Sequence, residues 1–467
     1  MTDTNTDAVE APGRFIAERF ARLQWEDLPD TVRRTTRLFL LDTLGVIAGA
    51  ARAPGMHELL ATLEDFEPPG QATVLLSDTP RSPTVAALAN GAAAHALDFD
   101  DQHDPARVHA FCVVLPAALA AADARGELDG KRFVTALACG VELFCRLGLT
   151  CHNSLGKGWH PTTALGSLAA ALTAGMIFDL DGERMTHALG LAYTQMSGTT
   201  QFIADGALAK RMGPGFAARN GVLAAQLARA GITGPHRYLE GKAGLFNLHE
   251  RGEVTPEILT EGIGSHWHIL DLSMKPYPCC RCVHSTIQLG LALHREGLRP
   301  EQVAGARILL GEVNAGIVGA DFDIGHANPV VHAQFNAAYG LATALADGRV
   351  DIASYTPSRI RDERSRLAGR FHTEISAEIP ATAIAPARIE LDLADGTSLV
   401  RETLTMKGAP DDPMSEEEVL DKFFACMKWG FDTPREVAQP LAERLLGIEA
   451  LPDIRPLIAE FSRMGRA

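Results

Sequence analysis

The chain has 467 residues, 46% of them hydrophobic, and a formal net charge of −15 at pH 7. That length exceeds the roughly 100–200 residues of one domain, and the acidic balance excludes the basic stripe that nucleic-acid binding needs. No run reaches about 18 uninterrupted apolar residues, so no membrane span is expected, and eight irregularly spaced cysteines do not make a disulfide framework.

Taken in chain order, the first residues, Met1 to Asp7, are polar and acidic, unlike the basic start and apolar run of a secretory signal. Residues 1–12 read as a flexible tail, and the protein as cytoplasmic. From about 13 to 265 apolar residues recur at spacings of three and four, which predicts helices over 32–50, 131–147, 162–178 and 217–230. Many faces are built of Ala and Gly, as from Thr163 to Gly175, so helices can approach closely and bury one another on several sides. After about 270 the pattern changes. A strand is predicted from 306 to 313, and a hairpin from the alternation over 387–393, the Asp395-Gly396 turn and a second run over 398–404. Helices over 285–296 and 334–346 lie between them, and Ser415 with Glu418 forms a capping box that opens a last helical stretch. The expected fold is mainly α with a smaller α+β domain: a helical domain from 13–268 and 405–467, and an α+β domain from 269–404.

Polar residues are conspicuous where the neighbourhood is apolar. His95, Asp98, Asp100, Asp101, Gln102, His103 and His109 interrupt a segment of Ala, Gly, Leu and Val, where each unpaired carboxylate would cost several kcal/mol to bury. They are either a site or the caps of two helices separated by Pro105. His160, Thr162 and Thr163 open an Ala-rich helix, whose N-terminus suits an anion or is simply capped. Lys210 and Arg211 lead into a Gly-rich stretch and form either a carboxylate clamp or a solvated pair. Lys275, Cys279, Cys280, Cys282 and His284 crowd the junction between the two domains, a usual place for a cleft. The cysteine spacing fits neither a structural zinc site nor a ferredoxin-type cluster, so no metal is expected. Tyr339 is either a core aromatic or a proton-carrying phenol.

In this order the segments resemble the MmgE/PrpD family, which includes 2-methylcitrate dehydratase, cis-aconitate decarboxylase and iminodisuccinate epimerase. The resemblance rests on Asp42 with Gly45, the run from Asn90 to Asp101 with His109, Glu142 with Arg146, Gly158 to Thr163, Lys210 with Gly221, Lys275 to Cys279 with His284, and Asp412 to Ser415. It implies a homodimer with a large helical domain and a smaller α+β lid, a cleft for small polycarboxylates, and no metal or organic cofactor. Carried over by position, the site is Asp98, Gln102, His109, His160, Lys210, Lys275 and Tyr339, with His284 beside it. His109, Asp98, His160 and Tyr339 are the implied catalytic groups, and Lys210, Lys275, Gln102 and His284 the implied substrate contacts.

Building negative charge next to a carboxylate requires fixed cations and a proton carrier, and imidazole titrates near working pH. The implied activity is a lyase acting on a small di- or tricarboxylate, a hydro-lyase ahead of a decarboxylase. An epimerase and a non-catalytic anion binder are the alternatives. Four departures bear on the substrate: Gln102 in place of a common Thr, a segment before His109 one residue longer and including Arg107, Phe111 after the histidine, where it would narrow the pocket or make it more apolar, and Gly213 where several members carry a polar side chain.

Overall fold

The computed structural model describes residues 11–151 and 158–465. Residues 1–10 of the expected tail lie outside the described part, and Pro12 already opens a helix, Pro12–Ala21, at a first-turn position where its missing N–H costs nothing. The expectation of a mainly helical protein with a smaller α+β part holds.

A first hydrophobic core runs from Ile16 to Met274 and takes in residues between Val419 and Phe461. At its centre all 17 residues of the helix Pro161–Ile177 are buried, as expected of a helix that is apolar all round. The helix Ala209–Arg229 packs on it and also on Pro83–His95, Gly182–Tyr193 and Phe111–Arg125. Small residues permit this approach: a Cβ on Gly221 would sit 2.3 Å from the Ala170 Cβ, and one on Gly91 2.8 Å from the Gly215 Cα. Gly130–Thr150 has the length and composition of a membrane span, but 94% of its apolar window is buried inside the protein, so its faces are taken by neighbouring helices. The helix Glu416–Phe431 returns from the far end of the chain to pack on Asp30–Gly49. Its capping box is formed as predicted, Glu418 N donating to Ser415 Oγ (3.2 Å) and Ser415 N to Glu418 Oε2 (2.7 Å).

One helix starts earlier than predicted, at residue 209 and not 217. The Gly213-Pro214-Gly215 run reads as a break, yet the helix passes through it. Pro214 removes a single N–H, and the glycines supply clearance, since Cβ atoms there would lie 2.3 Å from Thr163 Oγ1 and from the Leu88 carbonyl. The predicted helix over 334–346 is instead two, Pro329–Gln334 and Ala337–Asp347. Asn336 leaves the helical region, and its Oδ1 accepts from Tyr339 N at 2.8 Å, which caps the second helix.

The loop after Pro83–His95 contains a short strand, β1 (Gln102–His103), paired antiparallel with β2 (Leu272–Ser273). A second core spans Cys279 to Leu391. It contains a four-stranded sheet of β3 (Val303–Leu310), β4 (Phe371–Ile375), β5 (Ala387–Leu393) and β6 (Ser398–Thr403), in the order β4-β3-β5-β6. β3 and β4 are parallel, the other pairs antiparallel, and the predicted hairpin is β5–β6 with Ala387 opposite Thr403. Its turn uses Gly396 at φ 85°, a backbone conformation that suits glycine. The helices His284–Arg295 and Ala337–Asp347 pack against each other in this second core.

Gly221→Val places a branched side chain where even a Cβ is too close to Ala170. Overpacking of this kind costs about 1–3 kcal/mol. The expected result is a lower urea midpoint at unchanged slope, and an unaltered midpoint would show that the two helices part freely.

Candidate active site

The loop from 96 to 110 carries the site because three side chains from distant parts of the chain, and one of its own, hold its carbonyls. Gln334 Nε2 donates to Leu97 O (2.7 Å), Lys275 Nζ to Asp98 O (2.9 Å), Lys422 Nζ to Phe99 O (2.8 Å) and His109 Nδ1 to Asp101 O (2.8 Å). Lys422 also pairs with the buried Asp42 at 2.7 Å. Asp101 is structural: its two oxygens accept from Ala110 N (2.8 Å) and Phe111 N (2.9 Å) at the start of the helix Phe111–Arg125. Asp98 adopts a left-handed backbone, φ 53°, a strained geometry of the sort found at functional sites.

This backbone places the Asp98 carboxylate between two ammonium groups, Lys275 Nζ at 2.8 Å and Lys210 Nζ at 2.9 Å, both on Oδ1. The buried Oδ2 has no hydrogen-bond partner among the described residues. Burial pushes the Asp98 carboxyl up, but Lys210 and Lys275 outweigh it and hold it well below the usual carboxylate range. Burial likewise pushes Lys275 down, and Asp98 and Asp100 more than reverse it, so the ammonium stays charged.

The histidines are fixed by their Nδ1 atoms. A carbonyl oxygen only accepts, so His109 carries its proton on Nδ1 and a neutral ring presents a lone pair at Nε2. Asp100 lies 2.8 Å from His95 Nδ1 and 3.3 Å from His109 Nδ1, and the two rings meet edge to face at 4.6 Å between centroids. Burial lowers His95 to about 4 despite Asp100. His160 is held well below its ordinary value by burial and by Lys210.

Two neighbouring hydroxyls tie the proton carriers together. Thr162 Oγ1 accepts from His109 N at 3.1 Å, and Thr163 Oγ1 is 2.9 Å from His160 Nδ1. Thr163 fits because two glycines clear a space for it: a Cβ on Gly213 would lie 2.3 Å from its Oγ1, and one on Gly198 2.5 Å from its Cβ. The glycine at 213 therefore orients His160 through Thr163. Phe111 is fully buried and stacked on Phe39 at 5.4 Å, so it belongs to the core and does not narrow the pocket, contrary to expectation.

The structure gathers Asp98, His109, His160, Lys210 and Lys275. It does not gather the other three in the same way. Gln102 lies on β1 with its amide donating to Asp104 (3.1 Å). His284 is buried near Lys275 and held by the Arg281 guanidinium at Nδ1 (3.3 Å) and the Cys279 carbonyl at Nε2 (3.4 Å), so both ring nitrogens are engaged. Tyr339 packs inside the second core between Phe322 and Tyr355, and its hydroxyl donates to the Ser354 carbonyl. Of the two readings open for Tyr339, the core aromatic is the one the packing supports. His95, Asp100 and Thr163, conspicuous in the sequence but not carried over as site residues, complete the site together with Gln334 and Lys422, which the sequence did not single out.

Among the described residues two groups place three or more His, Asp, Glu or Cys ligand atoms close together, and neither contains a cysteine. In the first, His95, Asp98, Asp100 and His109 lie within 4.8 Å of one another. Two ammoniums on Asp98 already put positive charge where a cation would sit, which weighs against one there. The eight cysteines are free thiols.

Residues 14–257 match the MmgE/PrpD N-terminal domain and residues 277–446 the MmgE/PrpD C-terminal domain. Over 484 aligned residues, 98% of each chain, the protein is 28% identical to a cis-aconitate decarboxylase of Aspergillus terreus. It is 26% identical to a cis-aconitate decarboxylase-like protein of Aspergillus oryzae, covering 94% of this chain and 95% of the other. The human cis-aconitate decarboxylase is 26% identical over 88% of each chain.

Thr163→Val removes the oxygen beside His160 with little change of volume, and activity on the true substrate is expected to fall at least tenfold in kcat with KM nearly unchanged. Thr163→Ser restores it. Equal loss in both variants would mean that Thr163 acts by packing alone. Because His95, His160 and His284 are all depressed below 6.5, the unfolded chain binds more protons as pH falls through that value. Their contribution to stability is complete above 6.5 and is lost as pH falls toward 4 and below. Urea midpoints measured from pH 7 to 4.5 should decline, less steeply in His95→Asn.

Proposed function

This chain belongs to the MmgE/PrpD family, and from that membership we propose that it is a cofactor-independent lyase acting on a small tricarboxylate of the aconitate type. One observation carries the reading: two ammoniums converge on one buried carboxylate within reach of His109. Lys210 and Lys275 are set against Asp98 and Asp100, so a substrate carboxylate entering the cluster meets two ammoniums already fixed in place, in an otherwise acidic protein. The family resemblance put expulsion of water ahead of carbon dioxide. The activity named for the relatives moves decarboxylation to first place, with dehydration of a methylcitrate-type acid second.

Decarboxylation of an aconitate-type acid breaks the bond between its methylene carbon and the attached carboxyl carbon. The released electron pair forms a new double bond to the central carbon, and the pair of the old double bond takes a proton at the far carbon. Carbon dioxide leaves and one proton is consumed. Lys210 and Lys275 stabilise the charge that spreads over the remaining carboxylates. His109, whose Nε2 lone pair first takes up a proton from solvent, delivers that proton to the far carbon from Nε2, while Asp101 O and Asp100 hold its other nitrogen. His160, neutral and fixed by Thr163, hydrogen-bonds the substrate. The proposal includes a cytoplasmic homodimer, whose assembly light scattering at micromolar concentration measures.

Proton NMR in D₂O with cis-aconitate, 2-methylcitrate, citrate and iminodisuccinate tests the reaction. Carbon dioxide release from cis-aconitate with one deuterium incorporated is the expected result. His109→Ala is expected to slow it about 10²–10⁴-fold, and Lys210→Ala to raise KM. Loss of water from 2-methylcitrate would move the protein to the hydro-lyases, inversion of iminodisuccinate to the epimerases, and saturable binding without product to the anion binders.

A further inference from the structure

Behind the Asp98 loop lies a cavity of about 220 Å³ that the proposed chemistry does not use. Both cores form its walls. Leu97 and Trp429 come from the helical part, with Ile352 packed on the same core, Val330 and Tyr355 come from the second core, and two guanidiniums, Arg52 and Arg211, share the lining with Gln334. The volume exceeds the ~150 Å³ of an apolar cavity that takes benzene, so it admits a ring or a short branched chain with a polar head.

Arg211 is the unusual wall residue. It is only 6% exposed. One N–H reaches the neutral Pro54 carbonyl, and among the described residues no carboxylate pairs with it. Burying a guanidinium without a counter-charge costs several kcal/mol, and burial lowers its pKa to about 10 with Asp98 pulling the other way. Its position in an otherwise mostly apolar cavity defines a complementary ligand: an anionic head against Arg211 and a compact apolar body against Leu97, Val330, Ile352 and Trp429. Arg52, exposed at the same cavity, adds a second positive charge that draws an anion toward it in a protein of net charge −15.

We infer that this cavity is a binding site for a small monocarboxylate with an apolar body, an aromatic or short-chain acid, separate from the Asp98 cluster and coupled to it. The coupling is covalent and short. Leu97 precedes Asp98, Arg211 follows Lys210, and Gln334 donates both to Leu97 O (2.7 Å) and to Pro278 O (3.1 Å), joining the loop to the second core. An occupant touches all three, so its binding and that of the substrate change each other by the same factor. The inference stands independently of which reaction the Asp98 cluster performs.

Titration calorimetry of the full chain with benzoate and with hexanoate, alongside neutral toluene as the isostere, tests it. Saturable one-to-one binding of at least one acid with a dissociation constant below about 1 mM is expected, with toluene at least tenfold weaker. Arg211→Gln should weaken the acid at least tenfold and Val330→Trp, which fills the cavity, should abolish it, both checked for folding by thermal melt. His109→Ala should leave it unchanged. Absence of saturable binding by wild-type protein overturns the inference, as does affinity that survives both cavity variants in folded form. One-for-one competition by cis-aconitate would make the cavity part of the substrate site and overturn its separateness.

Discussion

The carboxylate of Asp98, fixed between the ammoniums of Lys210 and Lys275, is the interaction on which the site depends. Lys210 comes from a helix of the first core, and Lys275 from the segment that leaves β2 for the second. Taking three charges out of water costs several kcal/mol apiece, and mutual attraction returns that only when the geometry is close. The triad is therefore poor evidence for stability and good evidence for order. It pins a loop whose backbone at Asp98 is left-handed, and it does so from two directions.

The electrostatics around that triad sort the neighbouring groups into roles. Burial and nearby cations keep His95, His160 and His284 neutral, while Asp98 and Lys275 remain charged. A site composed in this way contains fixed charges that do not titrate near neutrality and imidazoles whose tautomers are set by main-chain or side-chain partners. Preorganised dipoles of this type need no reorganisation when charge develops on a substrate.

Much of the fold was legible because it follows from periodicity. The helices around 131–147 and 162–178, the β5–β6 hairpin and the Ser415 capping box needed only spacing and turn chemistry. What escaped depends on contacts across the chain. The Gly213-Pro214-Gly215 run looks like a breaker until Thr163 and Leu88 are seen to need the room. β1 and β2 are two residues each, too short to alternate. In the site, the lysines and histidines stood out as charges in apolar company, but their partners did not. Asp101 serves two amides, Gln334 two carbonyls, and Tyr339 a third carbonyl, and main-chain partners leave no mark in side-chain spelling.

Lys422 gives the loop a dependence in time. The bond from its Nζ to the Phe99 carbonyl spans 323 positions of sequence, and that from Ser462 to the Leu75 carbonyl spans 387. Synthesis runs from the N-terminus at about 5–20 residues per second, so the Asp42 charge and the Phe99 carbonyl wait tens of seconds on the ribosome for their counterpart. Until Glu416–Phe431 emerges, the helices around Asp30–Gly49 hold a polar gap and an exposed apolar face. The acidic loop, whose Phe99 carbonyl and Asp42 neighbour both wait for Lys422, is thus among the last parts to set.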